Sequence, residues 1–162
     1  MAIDATPKSP NADVWGTLVE ADAFHANRLH NSEWTGATDA VKETALKWSA
    51  TLLNKLKWIG RRTDELQAQS QPRYGLVDYD GYTIDEDVVY KDMKEASFEY
   101  AWLLIKGDAT AEAGTTGFTK IKVAVIELEI DKTDKPKKIP SSVLNYIRPW
   151  ITGLGTSSVG KG

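Results

Sequence analysis

The stretch TKIKVAVIELEI, residues 119–130, decides the predicted architecture, because it is the one run dominated by β-branched residues. Such residues favour an extended, pleated backbone. Apolar residues hold the odd positions up to Val125 and the even positions from Ala124 onward. A bulge or tight turn near Val125, or two different partner surfaces, explains this change of parity. Because the other segments read as helix or loop, the strand has unpaired edges, and the sequence indicates a subunit built to assemble.

We expect this segment to pair with neighbouring subunits, because one subunit supplies too little β-structure to satisfy its edges internally. An internal hairpin folded over the helices is the alternative. A proline at Val123 would delete a backbone donor and distinguish the two. The residues assigned to this inter-subunit β-arm are Lys120, Ile121, Lys122, Val123, Val125, Glu127 and Glu129.

The composition is that of an ordinary globular chain. Its 162 residues suit one domain, with 41% hydrophobic and 27% charged residues. The formal net charge of -3 argues against a dedicated nucleic-acid binder, which usually carries a basic excess. The absence of cysteine excludes disulfides and thiolate metal sites. No run approaches the roughly 20 apolar residues of a membrane span, and the N-terminus lacks the apolar core of a signal peptide, so we expect a soluble, intracellular protein.

The predicted fold is mainly α, a small helical bundle with the extended β-strand or hairpin arm, a C-terminal helix and a flexible tail. Thr17 and Glu20 form a capping box that opens the first helix. The second helix is predicted from Thr38 or Asp39 to Gly60. Its buried stripe is predicted to comprise Val41, Ala45, Trp48, Leu52, Leu56 and Ile59.

A third helix is predicted over residues 87–106, with a buried face made of Val89, Met93, Ala96, Tyr100 and Leu103. A short last helix, capped by Ser141 or Ser142, carries Leu144, Ile147 and Ile151 on one face. The predicted organisation is a flexible N-terminal arm over residues 1–13, one helical domain over 14–152 that includes a β-arm over 118–131, and a flexible tail over 153–162.

Residues 63–85 are polar and rich in turns, and a loop of this length in a compact domain is usually functional or disordered. Asp80-Gly81 between short apolar runs predicts a small hairpin inside it. Four bases, Lys55, Lys57, Arg61 and Arg62, end the second helix, where the helix dipole favours cations. They could also touch phosphate, but solvated charge is the favoured interpretation.

No enzymatic motif stands out. Residues 114–117, Gly-Thr-Thr-Gly, lack the lysine and spacing of a phosphate-binding loop. The acids at 85–87 suit the N-terminus of the third helix better than acid–base catalysis. His25 is interpreted as a packing or hydrogen-bonding residue. Six Trp and six Tyr among basic residues could stack single-stranded DNA, although positions on core stripes or at subunit interfaces explain most of them.

From Val14 to about Ile151 the chain resembles the tailed-bacteriophage head–tail connector (adaptor) family, whose members are often labelled DnaT-like single-stranded-DNA-binding proteins. The resemblance rests on the order and spacing of several short segments. The chain departs from the family pattern at two positions, with Gln71 where the family usually has Trp and Tyr90 where it usually has Pro. The matching segments are Leu18–His25 with Arg28 and Trp34; Lys42–Leu46 and Gly60–Arg62; Pro72–Gly75 and Asp78–Ile84; Val89, Met93, Lys94 and Ala96; the lysine-rich strand; and Leu144 with Ile147–Ile151.

The resemblance implies a non-enzymatic virion protein without cofactors, a ring subunit expected in twelve copies beneath the portal protein. Such a ring joins the DNA-filled capsid to the next tail or neck component (a stopper, tail terminator or tail tube), and phage double-stranded DNA passes through its lumen. The resemblance implies no membrane partner. The protein would lie in the virion neck, and in the host cytoplasm during assembly. The alternative is a DnaT-like accessory protein that binds single-stranded DNA. The expected portal contact consists of Tyr146, Ile147, Trp150, Ile151 and Leu154.

Overall fold

The computed structural model describes residues 2–107 and 139–153. The predicted β-arm (118–131) with its seven assigned residues, and Leu154 with most of the predicted tail, lie outside the described residues. The described α-helices are α1 (Leu18–Ala26), α2 (Ser32–Gly36), α3 (Asp39–Leu53), α4 (Lys91–Lys106) and α5 (Ser141–Ile147), followed by a 3-10 turn over Arg148–Trp150. The described strands are β1 (Lys57–Trp58), β2 (Arg61–Arg62), β3 (Arg73–Tyr74) and β4 (Ile151–Thr152).

The described fold is mixed rather than clearly mainly α, which corrects the predicted class. Two small antiparallel sheets accompany the helices, β1 with β4 and β2 with β3. Trp58 lies opposite Ile151 in the first sheet, and Arg62 lies opposite Arg73 in the second. Each strand is only two residues long, too short to produce a detectable alternation in the sequence.

Helix α3 ends at Leu53, seven residues before the predicted end at Gly60. The indole Nε1 of Trp58 donates at 2.9 Å to the carbonyl oxygen of Leu53, which also accepts from the Leu56 amide at 3.1 Å, so this carbonyl at the helix end is fully used without a further helical turn. Trp58 itself packs edge-on against Trp15, with ring centroids 5.5 Å apart. This tertiary contact replaces the next helical turn with the start of β1.

The predicted buried face of α3 is only partly confirmed, because Ala45 is buried and Leu52, Leu56 and Ile59 pack against the core, whereas Val41 and Trp48 do not. Val41 and Trp48 are 47% and 41% exposed, and Leu52 is half-buried at the edge of the core. The helix is rotated so that a neighbouring stripe faces inward, which consists of Lys42, Ala45, Leu46, Ser49, Ala50 and Leu53. This stripe is not recognisable as apolar in the sequence, because it contains the polar residues Lys42 and Ser49. Each is satisfied by a distant partner, since Lys42 pairs with Asp22 at 2.9 Å and Ser49 bonds Ser97 at 3.0 Å.

Helix α4 is the central helix of the described part, and it packs against α3 on one side and α5 on another. Its predicted face is confirmed at Met93, Ala96 and Tyr100, which are fully buried, while Leu103 is half-buried. The last helix is confirmed, and Leu144 and Ile147 of its predicted stripe lie in the same core cluster. The third predicted residue, Ile151, lies beyond the helix in β4, and the cap position belongs to Pro140 rather than to Ser141 or Ser142. The capping box of α1 and the stop of α4 at Gly107 are confirmed.

The segment before Val14 lies against the loop that follows β2. The amide of Ala68 donates to the carbonyl of Ser9 at 3.1 Å, and Lys8 pairs with Asp87 at 2.6 Å. Ala12 is buried and its carbonyl accepts from Gln69 Nε2 at 2.6 Å. These contacts join the expected N-terminal arm to the described body. The division of the chain into arm, domain and tail stays a prediction.

Buried glutamines hold the polar loop between β2 and β3 in place. Gln67 donates to the carbonyls of Gln69 and Pro72, both at 2.9 Å. Gln69 accepts from Asn54 at 2.7 Å and from the Trp15 indole at 3.2 Å. The side-chain amides therefore supply the hydrogen bonds that a regular element would supply from its backbone. The loop that the sequence left open as functional or disordered has a defined path.

The predicted hairpin around Asp80-Gly81 is present. Val77 and Thr83 form an antiparallel bridge, and the Asp78 amide donates to the Tyr82 carbonyl at 2.8 Å. Gly81 has φ +87°, a backbone conformation that glycine adopts freely at a tight turn. Among the helices of the described residues, none is long and apolar enough to cross a membrane.

Candidate nucleic-acid interface

The basic residues of the described part divide into two groups by their partners. Six lie within ion-pair distance of a carboxylate, namely Lys8, Arg28, Lys42, Lys47, Lys91 and Lys94. Within residues 2–107 and 139–153, the bases without such an ion pair are Lys55, Lys57, Arg61, Arg62, Arg73, Lys106 and Arg148. Five of these seven fall between residues 55 and 73, so positive charge that no described carboxylate neutralises is concentrated in one segment.

These bases surround a groove of about 500 Å³ between the end of α3, the β2–β3 sheet and the buried-glutamine loop. We call it the basic groove and define it by Lys57, Arg61, Arg62 and Arg73, which all line it. Among the residues that the structure describes, no aspartate or glutamate lines it. Its remaining walls combine the polar residues Asn54, Gln69 and Ser70 with the apolar side chains of Leu56 and Trp58. An anion in this groove would meet several cations and no carboxylate.

Arg73 is fixed in the groove by backbone carbonyls rather than by an acid. Its guanidinium donates to the carbonyls of Ile59 and Gly60 at 2.8 Å each and of Ser70 at 3.1 Å. Carbonyl dipoles orient the side chain but leave its full positive charge in place. Burial, with the neighbouring Arg62, lowers the pKa of Arg73 from its usual value, which reflects how poorly this charge is compensated. A bound phosphate would supply the missing negative charge.

Gly60 allows the two strands that carry these arginines to come together. Its φ is +68°, and a Cβ at this position would lie 2.4 Å from the carbonyl oxygen of Tyr74. The close approach sets the register in which Arg61 lies opposite Tyr74 and Arg62 opposite Arg73. Three arginines are thereby gathered on a ribbon of four residues.

Tyr74 adds an exposed aromatic ring next to the groove. It is 51% exposed, and the guanidinium of Arg61 lies over its ring at 5.1 Å from the centroid. Arginine and aromatic planes side by side form the surface on which unpaired bases stack. Arg61, Arg62 and Tyr74 also line a second groove of about 700 Å³. Glu65 and Glu86 line that groove too, so its potential is mixed and anions are expected to favour the basic groove.

The sequence pattern indicates the four bases Lys55, Lys57, Arg61 and Arg62, but it favours their interpretation as charges exposed to solvent rather than as a phosphate site. This interpretation missed Arg73 and Tyr74 as partners, because they lie across a loop of ten residues. The available signal was the absence of acids between Gln67 and Leu76.

The residues expected to contact a portal protein lie mostly in the core of this chain. Ile147 and Trp150 are 0% and 1% exposed, Ile151 pairs with β1, and only Tyr146 is half-buried at the surface. The Trp150 indole donates to the carbonyl of Val77 at 2.7 Å, and its ring packs on Tyr79 and Tyr90. In this structure their burial leaves Ile147, Trp150 and Ile151 little surface for a partner. These apolar residues therefore pack within the chain, and a portal contact through this segment stays a prediction.

Tyr146 lies instead in a groove of about 860 Å³ among α1, α4 and α5. Each base that lines this groove pairs with a carboxylate, since Lys94 lies 2.6 Å from Glu20, Lys91 lies 3.6 Å from Glu95, and Arg28 is bound to the buried Glu99. The hydrogen bond to Glu99 raises the pKa of Arg28, as expected for a guanidinium whose charge is already matched. This groove therefore lacks the uncompensated charge of the basic groove.

His25 is confirmed as a packing and hydrogen-bonding residue. It is fully buried, its ring stacks on Trp34 with centroids 4.2 Å apart, and its Nε2 lies 3.1 Å from the carbonyl oxygen of Phe98. Because the carbonyl can only accept, Nε2 carries the proton. Burial lowers the pKa of His25 to about 4. Within the described part of the chain, no group of three His, Asp or Glu residues could hold a metal ion.

The described residues thus define a mixed α/β protein whose distinctive surface is an uncompensated cationic groove beside an exposed tyrosine. The chain belongs to the family described as "Putative DnaT-like ssDNA binding protein", whose model matches residues 1–161. No curated protein and no solved structure is significantly similar to it. The family match supports the DNA-binding label that accompanied the resemblance, and it does not support the connector assignment.

Proposed function

We propose that the protein binds single-stranded DNA through the basic groove, with Tyr74 stacking against a base. The observation behind this proposal is the concentration of unpaired cations at residues 55–73, while the other parts of the described chain pair most of theirs. The family to which the chain belongs agrees with this reading.

The net charge of -3 does not oppose local binding, because phosphates respond to the field at the groove. Charges more than about 8–10 Å away are largely screened at physiological salt. The acidic remainder of the chain instead limits the affinity and weakens binding elsewhere on the surface. An exposed ring beside the cations favours single strands over duplex, since the bases of a duplex are already stacked on each other.

The groove sets an expected salt dependence. If each of its four cations neutralises one phosphate, the logarithm of the affinity falls with the logarithm of the salt concentration with a slope of about -3. Raising the salt from about 50 to 200 mM would then weaken binding by about 50-fold. Stacking on Tyr74 adds a contribution that salt leaves largely unchanged, of about 1–3 kcal/mol.

The test is a fluorescence-anisotropy titration with a labelled oligothymidine, repeated at several salt concentrations, with an unlabelled duplex as competitor. Lys57→Ala/Arg61→Ala removes two groove cations whose side chains hold no backbone in place. We expect it to reduce the slope by about 1.4. Tyr74→Ala should weaken binding by about 5- to 150-fold without changing the slope.

The matched control is Lys8→Ala/Lys91→Ala, which removes two cations from surface ion pairs outside the groove. It should leave the slope and the affinity nearly unchanged. Equal effects of the two double variants would refute the groove as the binding site. A preference for duplex over oligothymidine would refute the single-strand assignment.

We infer a ring subunit of the head–tail connector type as the second candidate. The supporting observation is the hairpin over residues 76–84, whose outward side chains Val77, Tyr79 and Tyr82 are 51%, 64% and 74% exposed. Apolar and aromatic surface gathered on one projection is typical of a surface that another subunit covers. The partners would be further copies of the chain, the portal protein and the next tail component, and genomic double-stranded DNA would pass through the lumen.

Two measurements separate the candidates. Light scattering after size exclusion gives the mass of the assembly, and co-sedimentation with portal-bearing, DNA-filled capsids tests docking. A protein that forms rings, or joins such capsids, and ignores oligonucleotides is a connector. A monomer or dimer with the groove-dependent affinity described above is a single-strand binder.

A further inference from the structure

Helix α3 presents an uncharged stripe to solvent. Val41 and Trp48 are 47% and 41% exposed, and Thr44 and Thr51 between and after them are exposed as well. Asn54 and Lys55 continue the last turn, with amides that donate to the carbonyls of Ala50 and Leu52, so Lys55 ends the same face. We call these five residues, Val41, Thr44, Trp48, Thr51 and Lys55, the α3 seam.

The two threonines of the seam present methyl groups rather than hydroxyls. Thr44 Oγ1 donates to the carbonyl of Ala40 at 2.8 Å, and Thr51 Oγ1 donates to the carbonyl of Lys47 at 2.9 Å. Each hydroxyl is therefore satisfied within its own helix, and covering it with apolar surface leaves no donor unpaired. The seam is effectively apolar from Val41 to Thr51.

The spacing of the seam is that of a helix-pairing surface. Its members follow one another at steps of three, four, three and four residues, the a and d pattern by which two helices pack along a narrow line. The opposite face of α3 already packs in the core of the chain, mainly on α4. The heptad pattern is thus additional to what folding of the monomer requires.

The ends of the seam carry opposite charges. Asp39, in the first turn, is 78% exposed, and its only ion-pair contact among the described residues is a distant 3.9 Å to Lys42 Nζ, which bonds Asp22 more closely. Lys55 at the other end forms no ion pair with a described carboxylate. A helix with an acid at one end and a base at the other complements a copy of itself that runs in the opposite direction.

We propose that the α3 seam pairs with the α3 seam of a second copy in an antiparallel, two-fold arrangement. Trp48 is the middle member of the seam, with Val41 seven residues before it and Lys55 seven residues after it, so we place the axis there and the two Trp48 rings meet. Lys55 of each copy then lies beside Val41 and Asp39 of the other, and the two helix dipoles oppose each other favourably. The contact uses none of the four cations that define the basic groove, although Lys55 lies close to them in the chain.

The size of the seam makes this a weak association. Helix α3 is 15 residues long, about 22 Å, which is far less surface than the roughly 800 Å² per partner of a standard stable interface. We expect a dimer at high concentration that dissociates on dilution. A two-fold contact closes on itself, whereas a ring needs a head-to-tail contact, so the two assemblies are distinguishable by mass.

The experiment is sedimentation equilibrium of the full chain at concentrations up to about 0.5 mM, the range in which so small a contact should associate. We expect a concentration-dependent shift from the monomer mass to twice that mass. Trp48→Ala should weaken dimerisation by about tenfold or more, since a central Trp is the typical hot spot. Val19→Ala and Leu29→Ala, which remove exposed apolar side chains outside the seam, serve as controls and should change nothing.

A charge-reversal cycle tests the orientation. Asp39→Lys and Lys55→Asp should each weaken the dimer by about threefold, and the double variant should restore it, because the reversed pair reforms across the two-fold axis. Far-UV circular dichroism confirms that each variant keeps its helices. A monomer at every concentration, or an assembly that Trp48→Ala leaves unchanged, overturns the proposal. Failure of the double variant to recover overturns the antiparallel orientation.

Discussion

His25 should make the protein lose stability between pH 6.5 and pH 4. Its imidazole is fully buried between Trp34 and Phe24, and burial holds its pKa at about 4, compared with 6.5 for an unburied histidine. The nearby Arg28 lowers this pKa further, while Glu99 and Asp22 and the carbonyl of Phe98 act in the opposite direction without overcoming burial.

The direction of this pH dependence follows from the number of protons that the histidine binds in the folded and in the unfolded chain. Above pH 6.5 the histidine is neutral whether the chain is folded or unfolded, so it contributes no pH dependence. Between pH 6.5 and pH 4 only the unfolded chain binds the proton, and stability falls as the pH falls. The difference of about 2.5 pKa units corresponds to about 3 kcal/mol in total, lost at up to about 1.4 kcal/mol per pH unit. Below pH 4 both states are protonated and this loss stops growing.

Urea unfolding at half-unit steps from pH 7.5 to pH 4 measures the effect. Carboxylates titrate in part of this range, so the diagnostic quantity is the difference between the wild type and His25→Gln. Glutamine retains an N–H that can reach the carbonyl of Phe98 and does not titrate. His25→Phe, which retains a ring on Trp34, serves if the glutamine variant does not fold. Parallel pH profiles of wild type and variant between pH 6.5 and pH 4 would show that burial does not hold this imidazole neutral.

Three further perturbations test the packing. Leu53→Ala should lower the unfolding free energy by about 2–5 kcal/mol in thermal or urea melts, and Leu52→Ala by less than half of that, because Leu53 is fully buried and Leu52 half-buried. The reverse order would mean that α3 is rotated from its described position. Trp150→Ala should lower the unfolding free energy by about 3–5 kcal/mol, and deletion of residues 144–162 should abolish cooperative unfolding, because both changes remove side chains from the core. A truncated chain with an unchanged melt would contradict the placement of this C-terminal segment in the core. Gly60→Ala should both destabilise the chain and weaken oligonucleotide binding, because the Cβ of the alanine would clash with the carbonyl of Tyr74 and separate β2 from β3. Unchanged binding would show that the basic groove does not depend on the register of these two strands.

The elements with strong local signals were predictable. Thr17 and Glu20 cap α1 through contacts within four residues, and Asp80-Gly81 fixes the hairpin turn through backbone geometry alone. The buried face of α4 was found because Met93, Ala96 and Tyr100 repeat at helical spacing. In each case the physical cause lies within one or two turns of chain, where a sequence pattern can record it.

The sequence by itself determined that the segments of α1, α3, α4 and α5 are helical, where α1 and α3 begin, and that the chain carries a run of bases after α3; it did not indicate the short helix α2. Only the tertiary structure decided which face of α3 is buried, because Lys42 and Ser49 become acceptable in the interior through Asp22 and Ser97, partners 20 and 48 residues away. It likewise decided which cations stay unneutralised. Lys94 meets its carboxylate 74 residues away, while Arg73 folds back onto carbonyls and stays positive. Propensity and periodicity are local, but burial and charge compensation depend on partners distant in the chain, and the candidate site follows from the latter.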